Sequence, residues 1–491
     1  MMSPGLILSV VVGYFLMLLL ISYLTGRKAD NFTFFLGNRN SKWYMVAFGM
    51  IGASLSGVTF ISVPGWVESS GFSYMQVVLG YFAGYLVIAF VLMPIYYKLN
   101  LTSIYTYLDR RFGVQAYKTG AFYFLISRLL GSAFRLYLVA TVLQLFVFDG
   151  YGIPFEITVI ISIAFIWLYT FRGGIKTIIF TDALQTLFML LAVGFSIYMI
   201  SDKMDLSPSG MFDLVLNNER SQFFFWDDFL GNKQHFIKQF IGGMFITITM
   251  TGLDQDMMQK NLSCKNIKEA KMNMLSFSAI LIVVNFFFLA LGVLLYEYAA
   301  TTAMTIPEKA DALYPSIALD GGLGIAVGLF FILGLVAAAY SSADSALAAM
   351  TTSLCVDFFD IHKQPEKKQI QTRKRTHIGV SALLVVVIII FNQLSESSVI
   401  DEVLTVAGYT YGPLLGLFTF GVFTSYSVKG KWVPLVCVLA PVCTYLADRF
   451  FAAYYDYEFG YELLLFNGML TVFGLLVILK KEGKLKDRSE N

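Results

Sequence analysis

The chain has 491 residues, of which 57% are hydrophobic and 14% are charged. A soluble globular protein of this length does not have such a composition, which is typical of a polytopic membrane protein. The formal net charge of +2 says little about partners, and nothing in the sequence indicates a nucleic-acid partner.

Apolar runs of spanning length recur along the whole chain and predict an all-α protein with about 13 transmembrane helices. The predicted spans, numbered in chain order, lie at residues 5–25, 43–67, 73–97, 119–147, 155–170, 178–201, 236–254, 272–299, 322–355, 378–394, 401–425, 432–447 and 461–479. The loops between them are too short to form a sizeable soluble domain.

The basic residues predict the orientation of these spans. Arg27 and Lys28 directly follow span 1 and no basic residue precedes it, so we expect a retained helix with its N-terminus outside. In that orientation most of the 35 lysines and arginines fall in cytoplasmic segments. The sequence therefore predicts a multi-pass protein of the plasma (inner) membrane with a cytoplasmic C-terminus.

Span 2 has the poorest helix composition of the set. Residues 51–65 hold three glycines, Pro64 and four hydroxyl side chains, which are Ser54, Ser56, Thr59 and Ser62. Such a segment is tolerated in lipid where it lines a cavity or packs against protein. Broken helices expose oxygens to ions in many transporters. Tight packing through small residues explains the composition equally well, so both interpretations stay open.

Charged side chains occur inside spans 4 and 6. Arg128 and Arg135 are seven residues apart on one helix face of span 4. We expect Arg128 to snorkel to the interface. Arg135 lies deeper, as either an anchor for a substrate carboxylate or half of an internal ion pair. Asp182 is either a cation ligand or a helix-start carboxylate that balances Arg172 or Lys176.

Span 7 is a second segment rich in glycine and threonine, five spans after the first. Two interrupted spans at matching positions are typical of an inverted-repeat transporter. We expect Asp254 to face a substrate cavity and Asp256 to lie at the cytoplasmic surface.

Span 9 places the hydroxyls of Ser341, Ser342 and Ser345 on one helix face, with Asp344 beside them. Hard, low-charge oxygen ligands suit a monovalent cation such as sodium. A stripe of small packing residues is the alternative, but a carboxylate inside a span favours a site.

Five motifs in this order resemble the sodium:solute symporter family. They are Ala53-Ser-Leu-Ser-Gly-Val-Thr-Phe60, Tyr169-Thr-Phe-Arg-Gly-Gly-Ile175 with Asp182, Gln255-Asp-Met-Met-Gln259, Ala337-Ala-Ala-Tyr-Ser341-Ser342, and Gly412-Pro413 with Gly416, Phe418, Gly421 and Phe423. The resemblance implies a LeuT-like five-plus-five inverted repeat. We therefore expect the following division: residues 1–30 with a peripheral first helix, repeats at 43–201 and 236–425, two C-terminal helices at 430–480, and a cytoplasmic tail at 481–491.

The resemblance also implies a sodium site. Its ligands would be backbone oxygens of Gly52, Leu55 and Ala338 and the hydroxyls of Ser341 and Ser342. A second sodium site in some members uses an aspartate and a serine that match Asp182 and Ser345. Asp344 stands where those members have a neutral residue, so this second site stays open as a prediction.

A substrate site beside the break in span 2 is implied in the same way. Ser54, Ser56 and Thr59 match the family's substrate wall, and Tyr74 matches it less closely. Arg135 lies near an arginine of the sialic acid transporters if a two-residue gap is allowed. Asp254 aligns with a polar contact of the galactose transporter.

The expected function is sodium-coupled symport of a small polar organic solute by alternating access, with Na⁺ as the coupling ion. Arg135 favours a carboxylate-bearing sugar acid or amino acid. The alternatives are proton coupling through Asp344 or Asp182, sodium-coupled transport of a neutral sugar and, more distantly, a solute-binding membrane receptor. The histidines and cysteines form no metal or nucleophile motif, so no enzyme is expected. We expect a monomer in the lipid bilayer.

Overall fold

The structure is a computed structural model, and it describes residues 4–26, 31–394, 399–455, 457 and 459–480. Within these residues the chain is built from helices joined by turns, with two isolated β-bridges. Many large apolar side chains, such as Leu24 and Val477, are exposed on the outside of the helices. An apolar exterior of this kind is what contact with lipid requires.

The long helices are numbered α1 to α13 in chain order. They are Pro4–Gly26, Trp43–Ser70, Tyr74–Lys98, Val114–Leu143, Phe155–Gly173, Ile175–Lys203, Phe236–Gly252 with Gln255–Leu262, Ile267–Thr301, Ile325–Phe358, Glu366–Leu394, Val399–Phe423, Val433–Tyr455 and Glu462–Val477. Short helices in the connections are Asn31–Leu36, Thr106–Phe112, Pro208–Leu216 and Leu313–Asp320.

Each predicted span coincides with one of these helices. Among the described residues, nine helices are long and apolar enough to cross a membrane. α2 and α7 meet the same criterion as bent pairs, whereas α5 and α13 are shorter apolar helices. The chain is therefore a multi-pass membrane protein. The predicted repeats contain α2–α6 and α7–α11, and the predicted tail at 481–491 lies outside the described residues.

The first helix, α1, is only partly peripheral. Tyr14 and Leu18 are buried on the face that packs against α5, α6 and α9, while Leu16 and Leu20 on the other side are exposed. One face of α1 therefore belongs to the helical core and the other faces outward.

Two helices are bent in the middle. α2 bends by 56° between Trp43–Leu55 and Gly57–Ser70, and α7 bends by 64° between Phe236–Gly252 and Gln255–Leu262. Glycine at a break lets neighbouring backbone approach closely. A Cβ on Gly57 would lie 2.9 Å from Val139 and 3.8 Å from the Cα of Ala339, so the bend in α2 packs directly on α4 and α9.

Helices α3 and α7 approach each other through glycines. A Cβ at Gly80 would lie 2.1 Å from the carbonyl oxygen of Phe240, and a Cβ at Gly243 would lie 2.3 Å from that of Val77. Small residues permit this backbone contact, which is a common form of helix association in membranes. The contact fixes the first half of α7 against α3, beside the cavity described below.

We expect Gly80→Ala to destabilise the protein by about 1–3 kcal/mol, because its new methyl group overlaps the Phe240 carbonyl. Gly194→Ala in α6 is the matched control, since nothing lies within 4 Å of a Cβ at that position. Thermal unfolding of the two purified variants in detergent measures the difference. Equal melting temperatures for both variants would contradict the close approach of α3 and α7.

Candidate ion and substrate site

The bend of α2, the start of α6 and the middle of α9 meet in one junction. The Gly52 backbone N–H donates to Thr186 Oγ1 at 3.0 Å, and Thr186 Oγ1 donates to the carbonyl oxygen of Asp182 at 2.8 Å. Ser341 Oγ donates to Asp182 Oδ1 at 2.6 Å. A Cβ on Gly52 would lie 2.3 Å from Thr186 Oγ1, so this approach requires glycine. Both α2 and α9 are thus attached to the same turns of α6.

The five residues predicted to hold the first sodium ion are all buried at this junction. Gly52 and Leu55 lie in α2 before its bend, while Ala338, Ser341 and Ser342 lie on α9 next to Ala339, which Gly57 contacts. Ser342 Oγ is buried and has no hydrogen-bond partner in the described part of the chain. Leaving a buried polar group unsatisfied costs about 1–3 kcal/mol, and a hard cation would satisfy it. The residues present therefore fit an alkali cation.

Asp344 and Ser345, predicted for a second cation, lie one turn further along α9 and are fully buried. Asp344 Oδ2 accepts a hydrogen bond from the Tyr169 hydroxyl at 2.8 Å, and Oδ1 accepts one from Ser345 Oγ at 3.2 Å. Among the described residues, no cluster of three or more histidine, cysteine or acidic side chains is arranged to hold a metal ion. The polar groups around Asp344 are mostly hydroxyls, which suit a monovalent cation better than a transition-metal ion.

The ion pairs around Asp182 correct two expectations and add one partner. Asp182 Oδ2 pairs with Lys260 Nζ at 2.8 Å, a lysine of α7 that the sequence did not suggest, while the side chain of Arg172 lies outside the described part of the structure. Arg128 does not snorkel, because it is 4% exposed and paired with Asp256. Asp256 does not lie at the surface, because it is 1% exposed. The bend in α7 turns its second half back into the protein, where these charges meet.

Asp254 lies at the bend of α7, next to the ion pair of Arg128 and Asp256. Its side chain is fully buried, accepts the Tyr411 hydroxyl at 2.5 Å and lies 3.9 Å from Arg128 Nη1. It also accepts from the backbone N–H of Asp256 at 2.9 Å and so caps the second half of α7. Asp254 is not among the residues that line the neighbouring cavity.

A cavity of about 100 Å³ lies between α2, α3, α4 and α7. Its walls combine the guanidinium groups of Arg128 and Arg135 with hydroxyl and aromatic side chains, which are Ser54, Thr59, Tyr74, Tyr81, Tyr85, Thr247 and Thr251. A carboxylate-bearing solute finds both a cationic anchor and hydroxyl partners there.

Most, but not all, of the predicted substrate residues line this cavity. Ser54, Thr59, Tyr74 and Arg135 all line it. The side chain of Ser56 lies outside the described part of the structure. Arg128 lines the cavity although the sequence did not suggest it, and it separates the cavity from the buried carboxylates of Asp254 and Asp256.

Comparisons with known proteins identify the family and the fold. A model of the sodium:solute symporter family matches residues 34–429. The chain is 27% identical to the sodium/sialic acid symporter NanT of Aliivibrio fischeri over 432 residues, which cover 86% of this chain and 83% of that protein. It is 27% identical to the sodium-coupled monocarboxylate transporter 1 of Mus musculus, over 82% of this chain and 66% of that protein. A solved Na⁺-coupled sialic acid symporter, in a substrate-bound outward-open state, superimposes with a TM-score of 0.81 at 21% identity, over 97% of this chain and 99% of that one.

The structure has the LeuT fold of membrane transporters, with two bent helices beside a cavity. Because the family model covers most of its length, the chain belongs to the sodium:solute symporter family.

We expect Thr186→Val to loosen the junction, because valine keeps the shape of threonine but removes the hydroxyl of α6 that accepts from the Gly52 N–H. The expected loss is about 0.5–1.5 kcal/mol of unfolding free energy, the usual contribution of one hydrogen bond. Thr181→Val is the control, since Thr181 Oγ1 is also buried but bonds only to carbonyls of its own helix. Thermal unfolding of the two purified variants measures the difference. Equal melting temperatures would contradict the role of Thr186 in attaching α2 to α6.

Proposed function

We propose that the protein is a sodium-coupled symporter of a small carboxylate-bearing solute that works by alternating access. The observation that carries this proposal is the junction of α2, α6 and α9. There Gly52 of α2 and Ser341 of α9 form hydrogen bonds to one stretch of α6, while the buried Ser342 hydroxyl has no hydrogen-bond partner among the described residues.

The proposed first sodium site uses backbone oxygens of Gly52, Leu55 and Ala338 with the hydroxyls of Ser341 and Ser342. A cation at this place joins α2 of the first half to α9 of the second, and it lies next to the wall of the cavity because Ala53 and Ser54 line that cavity. Sodium therefore stabilises the arrangement that binds substrate, and by linkage substrate tightens sodium binding equally. The membrane potential contributes about 2.3 kcal/mol per charge per 100 mV to inward movement.

The proposed substrate is anchored by Arg135 through its carboxylate, with Ser54, Thr59 and Tyr74 contacting its polar groups. Arg135 is better suited to this role than Arg128, because Arg128 is already paired with Asp256. Among the described residues, Arg135 forms no ion pair. The relatives named for sialic acid and monocarboxylates transport solutes that carry a carboxylate, which supports the same class here.

The proposal includes the arrangement in the membrane. The N-terminus lies outside and the C-terminus lies in the cytoplasm, as the distribution of basic residues indicates. The monomer is the working unit, because one chain supplies the whole junction and the whole cavity.

Sodium dependence tests the ion site. We expect Ser342→Ala to raise the sodium concentration for half-maximal uptake about tenfold, since losing one oxygen ligand costs about 1.4 kcal/mol. Ser278→Ala is the control, because the buried Ser278 hydroxyl bonds to Leu275 of its own helix α8. Uptake into proteoliposomes is measured in sodium and in choline. Uptake by the wild type in choline at low pH would refute sodium coupling and favour a proton.

Substrate choice tests the role of Arg135. We expect Arg135→Gln to raise the KM for a carboxylate substrate about 10- to 100-fold, because a charged hydrogen bond contributes about 1.5–3 kcal/mol. Arg135→Lys retains the charge, so its KM for the carboxylate substrate should rise less. Uptake of N-acetylneuraminate, pyruvate and galactose is compared in all three proteins. Transport of galactose alone, unaffected by Arg135→Gln, would favour a sodium/neutral-sugar symporter instead.

A further inference from the structure

A buried lysine stands beside the carboxylate that was predicted to hold a second sodium ion. Lys260 lies in the second half of α7 and is 1% exposed. Its Nζ is 2.8 Å from Asp182 Oδ2 and 3.9 Å from Asp256 Oδ1. An ammonium group inside a membrane protein is retained where carboxylates compensate its charge. Lys260 is therefore the counter-ion that the protein itself supplies to Asp182.

Both carboxylate oxygens of Asp182 are engaged by the protein. Oδ1 accepts the hydrogen bond from Ser341, and Oδ2 forms the ion pair with Lys260. Asp256, the second carboxylate near Lys260, is itself paired with Arg128. Lys260 therefore has Asp182 as its nearest partner, and the charge of Asp182 is neutralised without an external ion.

Asp344 differs from Asp182 in this respect. Its two oxygens accept hydrogen bonds from the neutral hydroxyls of Tyr169 and Ser345. No lysine or arginine forms an ion pair with Asp344 in the parts of the chain that the structure describes. Two neighbouring buried carboxylates thus have different kinds of partner, and only one of them has a tethered cation.

We propose that Lys260 occupies the cation position on Asp182 as a tethered ammonium group and closes that carboxylate to a second, exchangeable sodium ion. The inference rests on the proposed function and makes it more specific, because it limits how many sodium ions the junction binds. The same ion pair ties the second half of α7 to α6 at every sodium concentration. Lys260 acts through Asp182, so it is a positioning and specificity-determining residue.

Equilibrium binding of ²²Na⁺ to the purified full-length protein tests the proposal in five forms: wild type, Lys260→Arg, Lys260→Gln, Asp182→Asn and the double variant Asp182→Asn/Lys260→Gln. Lys260→Arg keeps the charge and should bind as many sodium ions as the wild type. Lys260→Gln frees the carboxylate and should bind one sodium ion more. The double variant removes both charges but keeps an amide oxygen that can accept the hydrogen bond of Ser341, so it should again match the wild type.

Two results would overturn the proposal. One is a double variant that binds one sodium ion fewer than the wild type, since Asp182 would then be a sodium ligand despite Lys260. The other is a folded Lys260→Gln variant that binds no additional sodium. If Lys260→Gln does not fold, the comparison of the wild type with the double variant decides between the two accounts.

Thermal unfolding of the same proteins separates this inference from the proposed function. Each single neutral variant leaves one buried charge uncompensated and should lower the melting temperature, while the double variant should recover most of the loss. A double variant that melts as low as the sum of both single losses would show that the two side chains are not partners. A wild type that binds no sodium would instead defeat the proposed function, and recovery in the double variant would still show the ion pair.

Discussion

The structure depends on the attachment of two helices to one stretch of α6. The bend of α2 is held through Thr186, and the serine patch of α9 is held through Asp182. These are short contacts between buried groups, so small changes in one helix are transmitted to the others. A bent helix alone would expose polar backbone to lipid, but here the same bend packs on α4, α6 and α9.

A second constraint comes from charge. Arg128, Asp256, Lys260 and Asp182 form a buried series that runs from α4 through the second half of α7 to α6. Each charge has an opposite charge beside it, which makes burial of all four tolerable. The series lies directly behind the cavity wall, because Arg128 belongs to both. Movement of α7 that breaks one of these pairs would therefore change the position of Arg128 in the wall of the cavity.

Much of the architecture could be predicted because it follows from local sequence. Length and apolarity located each long helix of the described residues, and glycine and proline content indicated that α2 is interrupted. The serine patch of α9 was visible because hydroxyls three and four residues apart share a helix face. Burial was predicted wrongly for charged residues that directly follow an apolar run. Asp256 and Lys260 follow the apolar part of α7 and therefore resemble a solvated loop, but the 64° bend carries them inside. Thr186, a single hydroxyl in an apolar helix, gave no signal at all.

The central claim is that an alkali cation joins α2 to α9 at this junction. Hydrogen exchange of the purified protein, followed by mass spectrometry in sodium and in choline at equal ionic strength, tests it most directly. A bound ion stabilises the backbone that holds it, so exchange in the peptides around Gly52–Gly57 and Ala338–Ser342 should slow in sodium while exchange in α12 stays unchanged. Identical exchange at the junction in both salts would contradict the account.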